Sequence, residues 1–336
     1  MLFLLPSHNP RPGLSIIRRL RSIDWIGVLL VTSSLVLFTL ALLFGGNQYA
    51  WNSGIVIGFF VACGVLAILF GLSQLSFMPG QTKERRIFPM HYFLRKDTVL
   101  LAVATGAGSC GMFVAIYYIP LFFQFTRGDT AIKAAVRLLP LICLAVFSTV
   151  ASGAVMSMTG LYTPWYLFGS NLVIIGFSLL HTLTPDTSDS AIYGYLSLVG
   201  LGTGSYVQLG FAVAQAINPK SETSAAISFV MQGQLFGLVI GLAIAGSVFV
   251  THVTDDLIAL FPSLPTSVVK DAIAGTNAEL IKTLSPELQA QALDIIVNCM
   301  DRVYILGIVA GGVSMICGIF LSHRRLDMKN AAGLVA

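Results

Sequence analysis

Eight apolar stretches of this chain are each long enough to cross a lipid bilayer. A spanning helix needs about 20 mostly apolar residues, since its backbone must satisfy its hydrogen bonds within the hydrocarbon. Each stretch is continuously apolar, which excludes the alternating pattern of outer-membrane barrel strands. The sequence therefore predicts an all-α integral membrane protein with about eight transmembrane helices, at approximately Trp25–Phe44, Gly54–Ser76, Thr98–Ile119, Leu138–Met158, Trp165–Thr182, Ala191–Ile217, Ala225–Val250 and Val303–Leu321.

The composition agrees with a membrane protein and excludes several other classes. Hydrophobic residues make up 56% of the 336 residues and charged residues 10%, whereas a soluble protein carries roughly 25% charged residues. No basic face suited to nucleic acid is present. The five cysteines form no Cys-x-x-Cys pair, so neither a disulfide framework nor a zinc site is indicated.

The basic residues predict the orientation of the chain. Thirteen of the 19 Lys and Arg lie on the side that holds residues 1–24, 77–97 and 322–336. Because basic loops stay in the cytoplasm, we expect both termini to be cytoplasmic. The cluster at Arg127–Arg137 opposes this rule locally.

Two segments outside the apolar stretches show helical signals. A cytoplasmic helix is predicted around His91–Lys96 within the basic linker 77–97. Residues 251–302 contain two helix-start patterns, Thr276-x-x-Glu279 and Ser285-Pro286-Glu287. The apolar residues Leu288, Ala292 and Ile295/Ile296 then share one face. We interpret 251–302 as an external helical cap, with an irregular acidic loop as the alternative.

Motifs of catalysis are absent from the sequence. It contains no phosphate-binding P-loop, no nucleophile elbow and no paired catalytic carboxylates. The five histidines are far apart, which is typical of interfacial or solvated side chains. We therefore predict no catalytic residues, metal or cofactor, and a membrane-embedded enzyme is the weaker class.

Polar side chains within the spans are the candidate functional residues. They lie on the third, sixth and seventh spans and include Tyr117, Gln124, Tyr206, Gln208 and Gln232. One interpretation is a polar stripe that lines a cavity. The other is hydrogen bonding between helices, which contributes about 0.6–2 kcal/mol for each contact. The sequence leaves both open.

Glycines and acids add two further observations. Gly202 and Gly204 cluster in the sixth span, and Gly233 and Gly237 repeat at the spacing that lets helices approach closely. Asp24 is the only acid that we place near a span core. Because proton coupling usually needs an ionisable group within the membrane, we expect this chain alone not to couple to protons.

Several runs of residues resemble the fungal drug:proton antiporters of the major facilitator superfamily, in their fourteen-span branch. The runs are Tyr117–Gln124 with Gly128, Ala135–Pro140, Gly200–Gln208 and Asp24–Gly27. Residues 153–162 are similar to the second-half copy of the family's loop motif, although its usual basic residues are replaced.

The resemblance implies a domain organisation. Residues 1–24 are a cytoplasmic segment, 25–76 two additional transmembrane helices and 77–97 a cytoplasmic linker. Residues 98–321 correspond to the C-terminal six-helix half, including the external loop 251–302, and 322–336 to a cytoplasmic tail. Six further spans are expected from the family, so we expect a second six-helix half and proton coupling through residues outside this chain.

The resemblance also implies a function. It is a secondary transporter that exports a small organic compound, such as a fungal metabolite, toxin or drug, as two halves rock around a central site. That site would include Tyr117, Gln124, Tyr206, Gln208 and Gln232. Helix packing or gating would use Gly202, Gly204, Gly233, Gly237 and Arg137.

The expected surroundings are the lipid bilayer of the plasma membrane, with the vacuolar membrane as the alternative, and no nucleic acid. The competing hypothesis for function is a truncated fragment or membrane scaffold without transport activity.

Overall fold

The protein is built mainly from long helices. The computed structural model describes residues 24–45, 48–74, 90–219, 222–260 and 286–326. Within these ranges, eight helical segments are long and apolar enough to cross a membrane, which confirms the predicted fold class. Numbered in chain order, the helices are α1 (Trp25–Phe44), α2 (Gly54–Gln74), α3 (Lys96–Arg127), α4 (Ala131–Val136), α5 (Leu139–Thr159), α6 (Thr163–Leu180), α7 (Asp189–Tyr206), α8 (Leu209–Ile217), α9 (Thr223–Leu260) and α10 (Pro286–Phe320).

Three helices are longer than the apolar stretches that predicted them. α3 continues past Pro120 to Arg127, α9 continues to Leu260, and α10 begins at Pro286. A hydropathy pattern ends where apolar residues end, whereas the backbone hydrogen bonds of a helix continue through polar residues. Proline is tolerated inside membrane helices because neighbouring groups satisfy the carbonyl that it leaves without a partner.

The predicted external cap is divided between two of these helices. Residues 251–260 are the end of α9, and 286–302 are the first turns of α10. α10 starts at the predicted proline, and Ala292 and Ile296 of the predicted apolar face are buried. In the part of the segment that the structure describes, both ends are therefore continuous with membrane-spanning helices. Thr276 and Glu279 lie outside the described residues.

The predicted helix around His91–Lys96 is a short turn instead. A five-residue 3₁₀ helix covers Met90–Leu94, and α3 already begins at Lys96. The Tyr92 hydroxyl donates to the backbone carbonyl of Glu222 at 3.0 Å. Arg95 forms an ion pair with the Glu222 carboxylate at 2.8 Å. The entry to α3 is therefore fastened to the loop that precedes α9.

Two of the spanning segments are each made of two helices. The observed fourth segment, Ala131–Thr159, adds α4 before the predicted span, which is α5; the predicted sixth span is α7 followed by α8, with the break at Val207 and Gln208. The Oγ atoms of Thr203 and Ser205 donate to backbone carbonyls four residues earlier, at 2.8 and 2.6 Å. Such back-bonding bends helices, and so does a Gly–Ser pair such as Gly204–Ser205.

The six later spans pack into one bundle. α3 packs against α9 and α10, α6 packs against α7 and α10, and α5 packs against α7. A continuous apolar core runs through these helices and includes Tyr118, Phe122, Phe177 and Tyr304.

The first two spans form a hairpin beside this bundle. α1 packs against α2 and also contacts α9. Its buried residues, Gly27, Ser34 and Ala41, recur every seven positions on one face. Asp24 accepts a hydrogen bond from the Gly27 backbone N–H at 2.8 Å, which caps α1, and a second from Gln74 Nε2 at 2.7 Å. The carboxylate therefore joins the start of α1 to the end of α2.

Candidate functional site in the helix bundle

Tyr206 lies inside the bundle and not on an open face. Its side chain is 0% exposed, and its hydroxyl donates to Ser314 Oγ on α10 at 3.0 Å. Its ring packs on Tyr166 of α6, with 5.4 Å between centroids. In this structure Tyr206 therefore makes the contacts of the helix-joining interpretation.

The two candidates on α3 differ in exposure. Tyr117 is 59% exposed, while the adjacent Tyr118 is buried and packs against Phe249 of α9. Gln124 is partly buried near the end of the helix. Adjacent helix positions point about 100° apart, so the packing of Tyr118 directs Tyr117 away from the core.

The two glutamine candidates lie on different helices. Gln208 is exposed at the break between α7 and α8. Gln232 is partly buried on α9. The structure thus places Tyr117 and Gln208 on outer faces of the bundle, Gln124 and Gln232 at intermediate positions, and Tyr206 in the core.

The predicted glycines mark close approaches between helix backbones. A Cβ atom at Gly233 would lie 2.6 Å from the carbonyl oxygen of Ala102 on α3, and one at Gly237 would overlap Gly106 on the same helix. A Cβ atom at Gly202 would lie 2.6 Å from the Gly169 carbonyl oxygen on α6, and one at Gly204 would overlap Ala145 on α5. These positions have no room for a larger side chain.

Arg137 is the centre of an ionic network at the predicted outer end of the bundle. Its Nε donates to Asp129 Oδ2 at 2.5 Å, and its Nη1 donates to Asp189 and, at 2.9 Å, to the Tyr193 hydroxyl. Its guanidinium lies 4.3 Å from the centroid of the Phe123 ring.

Two further cations complete the network. Lys133 Nζ lies 2.6 Å from Asp129 Oδ1, and Arg127 Nε lies 3.3 Å from Asp189 Oδ1. The hydrogen bond from Lys133 and the adjacent Arg137 lower the pKa of Asp129. Arg127, Lys133 and Arg137, the cations on the side where few are expected, are thus all paired with carboxylates. These ion pairs join α4 to the end of α3 and to the start of α7.

The similar loop motif, residues 153–162, contacts the C-terminal tail. Gly160 has a positive φ of 71°, and its carbonyl oxygen accepts from the Leu326 N–H at 2.9 Å. Arg325 Nε donates to the Thr159 carbonyl oxygen at 2.7 Å, and the Tyr162 hydroxyl donates to the Ser322 carbonyl oxygen. The tail thus brings an arginine to a loop that lacks the motif's usual basic residues.

Several hydrogen bonds between helices are made by residues that the sequence patterns did not indicate. Ser148 Oγ lies 2.7 Å from Ser205 Oγ, and Thr149 Oγ1 donates to the Gly204 carbonyl oxygen at 3.0 Å. These bonds join α5 to α7. The recurrence of small and hydroxylated residues on one face of α5 was the signal that could have identified this interface.

Asp301 is a second acid near a span. It lies within the continuous helix α10, and its Oδ1 is buried without a hydrogen-bond partner among the described residues. Asp24 is therefore not the only acid near a span. Asp301 was missed because its segment was assigned to an external cap.

The chain is similar to fungal transport proteins over nearly its whole length. It is 41% identical over 332 residues to the MFS-type transporter pgmG of Aspergillus terreus, covering 99% of this chain and 59% of that protein. It is 37% identical to the efflux pump alnA of Emericella nidulans, covering 98% of this chain and 60% of that pump. It is also 37% identical to the phomenoic acid biosynthesis cluster MFS-type transporter of Leptosphaeria maculans, covering 98% and 55%. The chain therefore spans less than two thirds of the length of these relatives.

The fold is similar to that of a solved transporter. A crystal structure of a bacterial homologue of the human lysosomal transporter Spinster, inward-facing and occupied, aligns with a TM-score of 0.52 and 18% identity. The alignment covers 82% of this chain and 61% of the other. No family model matches the chain. The relatives nevertheless confirm the resemblance of this chain to transporters of the major facilitator superfamily.

Proposed function

We propose that this chain forms one half of a secondary transporter that exports a small organic compound by alternating access. The observation that carries the proposal is the similarity of nearly the whole chain to proteins named as MFS-type transporters and efflux pumps. Secondary transporters of this architecture bind substrate between two helical halves that rock against each other.

Two observations support a second six-helix half outside this chain: the length of the relatives and the exposed polar residues of the bundle. The chain matches 59% of pgmG, so the rest of that protein has no counterpart among these residues. Tyr117 and Gln208 carry polar groups on exposed faces of the bundle. Polar groups are costly in contact with lipid, and a second half would enclose them in a wet central cavity.

The substrate contacts are proposed at four of the five candidate positions. Tyr117, Gln124, Gln208 and Gln232 offer hydroxyl and amide groups that bind polar atoms of an organic compound without needing charge. Tyr206 is left out, since its hydroxyl is already bonded to Ser314. The substrate is therefore proposed to be recognised by neutral hydrogen bonds together with apolar contact.

Proton coupling is proposed to use residues outside this chain. Asp24 already caps α1 and binds Gln74. Asp301 is the alternative candidate for a proton-coupling residue within this chain, because it is partly buried within α10. The plasma membrane is the proposed location, which a fluorescent fusion in fungal cells would test against the vacuolar membrane.

The experiment is an accumulation assay in yeast that lacks its own efflux pumps. The chain is expressed alone and together with the part of pgmG that it does not match, and cells are loaded with a panel of small organic compounds. We expect lower accumulation of at least one compound only when both parts are present. Gln208→Leu should abolish that difference at unchanged protein level, while Ser228→Ala on the exposed surface of α9 should not. Equal accumulation of every compound in all strains would refute the proposal.

A further inference from the structure

A basic cavity lies at the predicted cytoplasmic end of the bundle, where α3 begins and α10 ends. Its volume is about 530 Å³, and four cations line it: Arg95, Lys96, Arg324 and Arg325. Asp97 is the carboxylate among its lining residues. The cavity is on the opposite end of α3 from the Arg137 network, and none of the proposed substrate residues lines it.

The acids near this cavity are already engaged by other groups. Asp97 Oδ1 accepts from the Ser322 backbone N–H at 3.1 Å and from Ser322 Oγ at 2.9 Å. Glu222 is paired with Arg95 at 2.8 Å. Among the described residues, no carboxylate forms an ion pair with Lys96, Arg324 or Arg325. Lys96, Arg324 and Arg325 are thus without an ion-pair partner among the described residues, and Asp97 is the one carboxylate that remains beside them.

Two of the cations, Arg325 and Lys96, make contacts that leave their charge available. Arg325 Nε donates to the Thr159 carbonyl oxygen at 2.7 Å, which leaves its two terminal amino groups for another acceptor. Lys96 Nζ lies 5.7 Å from the centroid of Phe320, the last residue of α10. Lys96 and Arg324 are exposed. Because the cavity adjoins the ends of two helices long enough to span a membrane, we expect its cations to lie at the depth of lipid headgroups.

We propose that this cavity binds the phosphorylated headgroup of an anionic membrane lipid. Guanidinium groups bind phosphate oxygens with paired hydrogen bonds, and basic pockets between spanning helices on the cytoplasmic side suit phosphorylated headgroups. The first turn of α3, at Lys96, adds the partial positive charge of a helix N-terminus. A bound headgroup would bridge the start of α3, the tail and the loop at Thr159.

The test measures lipid binding by the full purified, delipidated chain in detergent, using native mass spectrometry. The probes are dioctanoyl phosphatidylinositol 4-phosphate, dioctanoyl phosphatidylcholine and soluble inositol 1,4-bisphosphate. The double variant Lys96→Gln/Arg324→Gln removes two charges, and neither side chain makes a hydrogen bond within the described residues. Arg302→Gln, an exposed cation in the opposite part of α10, is the matched control.

We expect the phosphorylated lipid to bind better than phosphatidylcholine. The double variant should weaken that binding about 30-fold, since each cation near an anionic surface contributes about fivefold. Arg302→Gln should bind as the original chain does. If the double variant is poorly folded by its melting temperature, Arg324→Gln alone is measured, with about a fivefold loss expected.

Two results would overturn the proposal. The first is undiminished binding of the phosphorylated lipid by a folded variant, which would remove these cations from the site. The second is equally tight binding of soluble inositol 1,4-bisphosphate, which would assign the cavity to a free phosphate compound and not to a lipid.

Discussion

Arg137 and Asp189 lie 52 positions apart in the sequence, and the Arg137 guanidinium donates a hydrogen bond to the Asp189 carboxylate. This contact joins the fourth and sixth spans at one end of the bundle. Asp129, whose side chain is 1% exposed, binds the same guanidinium. One arginine therefore joins the loop before α4 to the start of α7.

Removal of this arginine should loosen the bundle. Arg137→Gln leaves the buried Asp129 with Lys133 alone, and a buried carboxylate that loses a partner is strongly destabilising. We expect a melting temperature in detergent lower by several degrees, measured by fluorescence-detected size-exclusion chromatography. Arg302→Gln, which lies outside the network, should leave it unchanged. Equal melting of all three proteins would contradict a structural role for Arg137.

The same network predicts a pH dependence. Since Lys133 and Arg137 lower the pKa of Asp129 in the folded chain, its stabilisation is present above the ordinary carboxyl pKa of about 3.9. It is lost as the pH falls through the lowered folded pKa. The melting temperature should therefore drop below about pH 4, and Asp129→Asn should show a smaller drop over the same range. An identical pH profile for the variant would argue against the pairing.

The glycine contacts can be tested within a single helix. Gly204→Ala would place a methyl group within 2.8 Å of Ala145 Cα, whereas a methyl group at Gly194, also on α7, would meet nothing within 4 Å. We expect Gly204→Ala to lower the free energy of unfolding by about 1–3 kcal/mol, seen as earlier thermal aggregation. Gly194→Ala should be neutral or slightly stabilising. The reverse order would contradict the packing of α5 on α7.

The orientation needs exposed labelling positions. Cys299 is buried, with its sulfur 3.6 Å from Asp256 Oδ2, so it is unsuited to a thiol reagent. Asp186 and His323 are both exposed. In a chain whose cysteines are replaced by serine, Asp186→Cys should react with an impermeant maleimide on intact cells, and His323→Cys only after permeabilisation. The opposite pattern would invert the predicted topology.

The spans could be predicted from the sequence, whereas several side-chain roles could not. Continuous apolar stretches identify membrane helices because the bilayer imposes one length and one polarity. The glycine repeat at Gly233 and Gly237 predicts a close contact between helices, since close helix approach needs small residues. Both signals are local in the sequence.

The role of Tyr206 depends on contacts that are distant in the sequence. Its partner Ser314 is 108 positions away, and nothing near Tyr206 shows whether its hydroxyl faces a cavity or another helix. The pairing of Arg137 with Asp189 is likewise set by the packing of the bundle. The end of α9 and the start of α10 do not appear in the hydropathy pattern, because polar residues within a helix look like a loop there.

We propose that this chain is one half of a transporter and works only with a second half. The most direct measurement is uptake of a compound identified in the yeast assay into liposomes under an imposed pH gradient. We predict uptake when the chain is reconstituted with the part of pgmG that it does not match, and none with the chain alone. Gradient-driven uptake by the verified monomeric chain would contradict this account and would direct attention to Asp301 as a coupling residue within it.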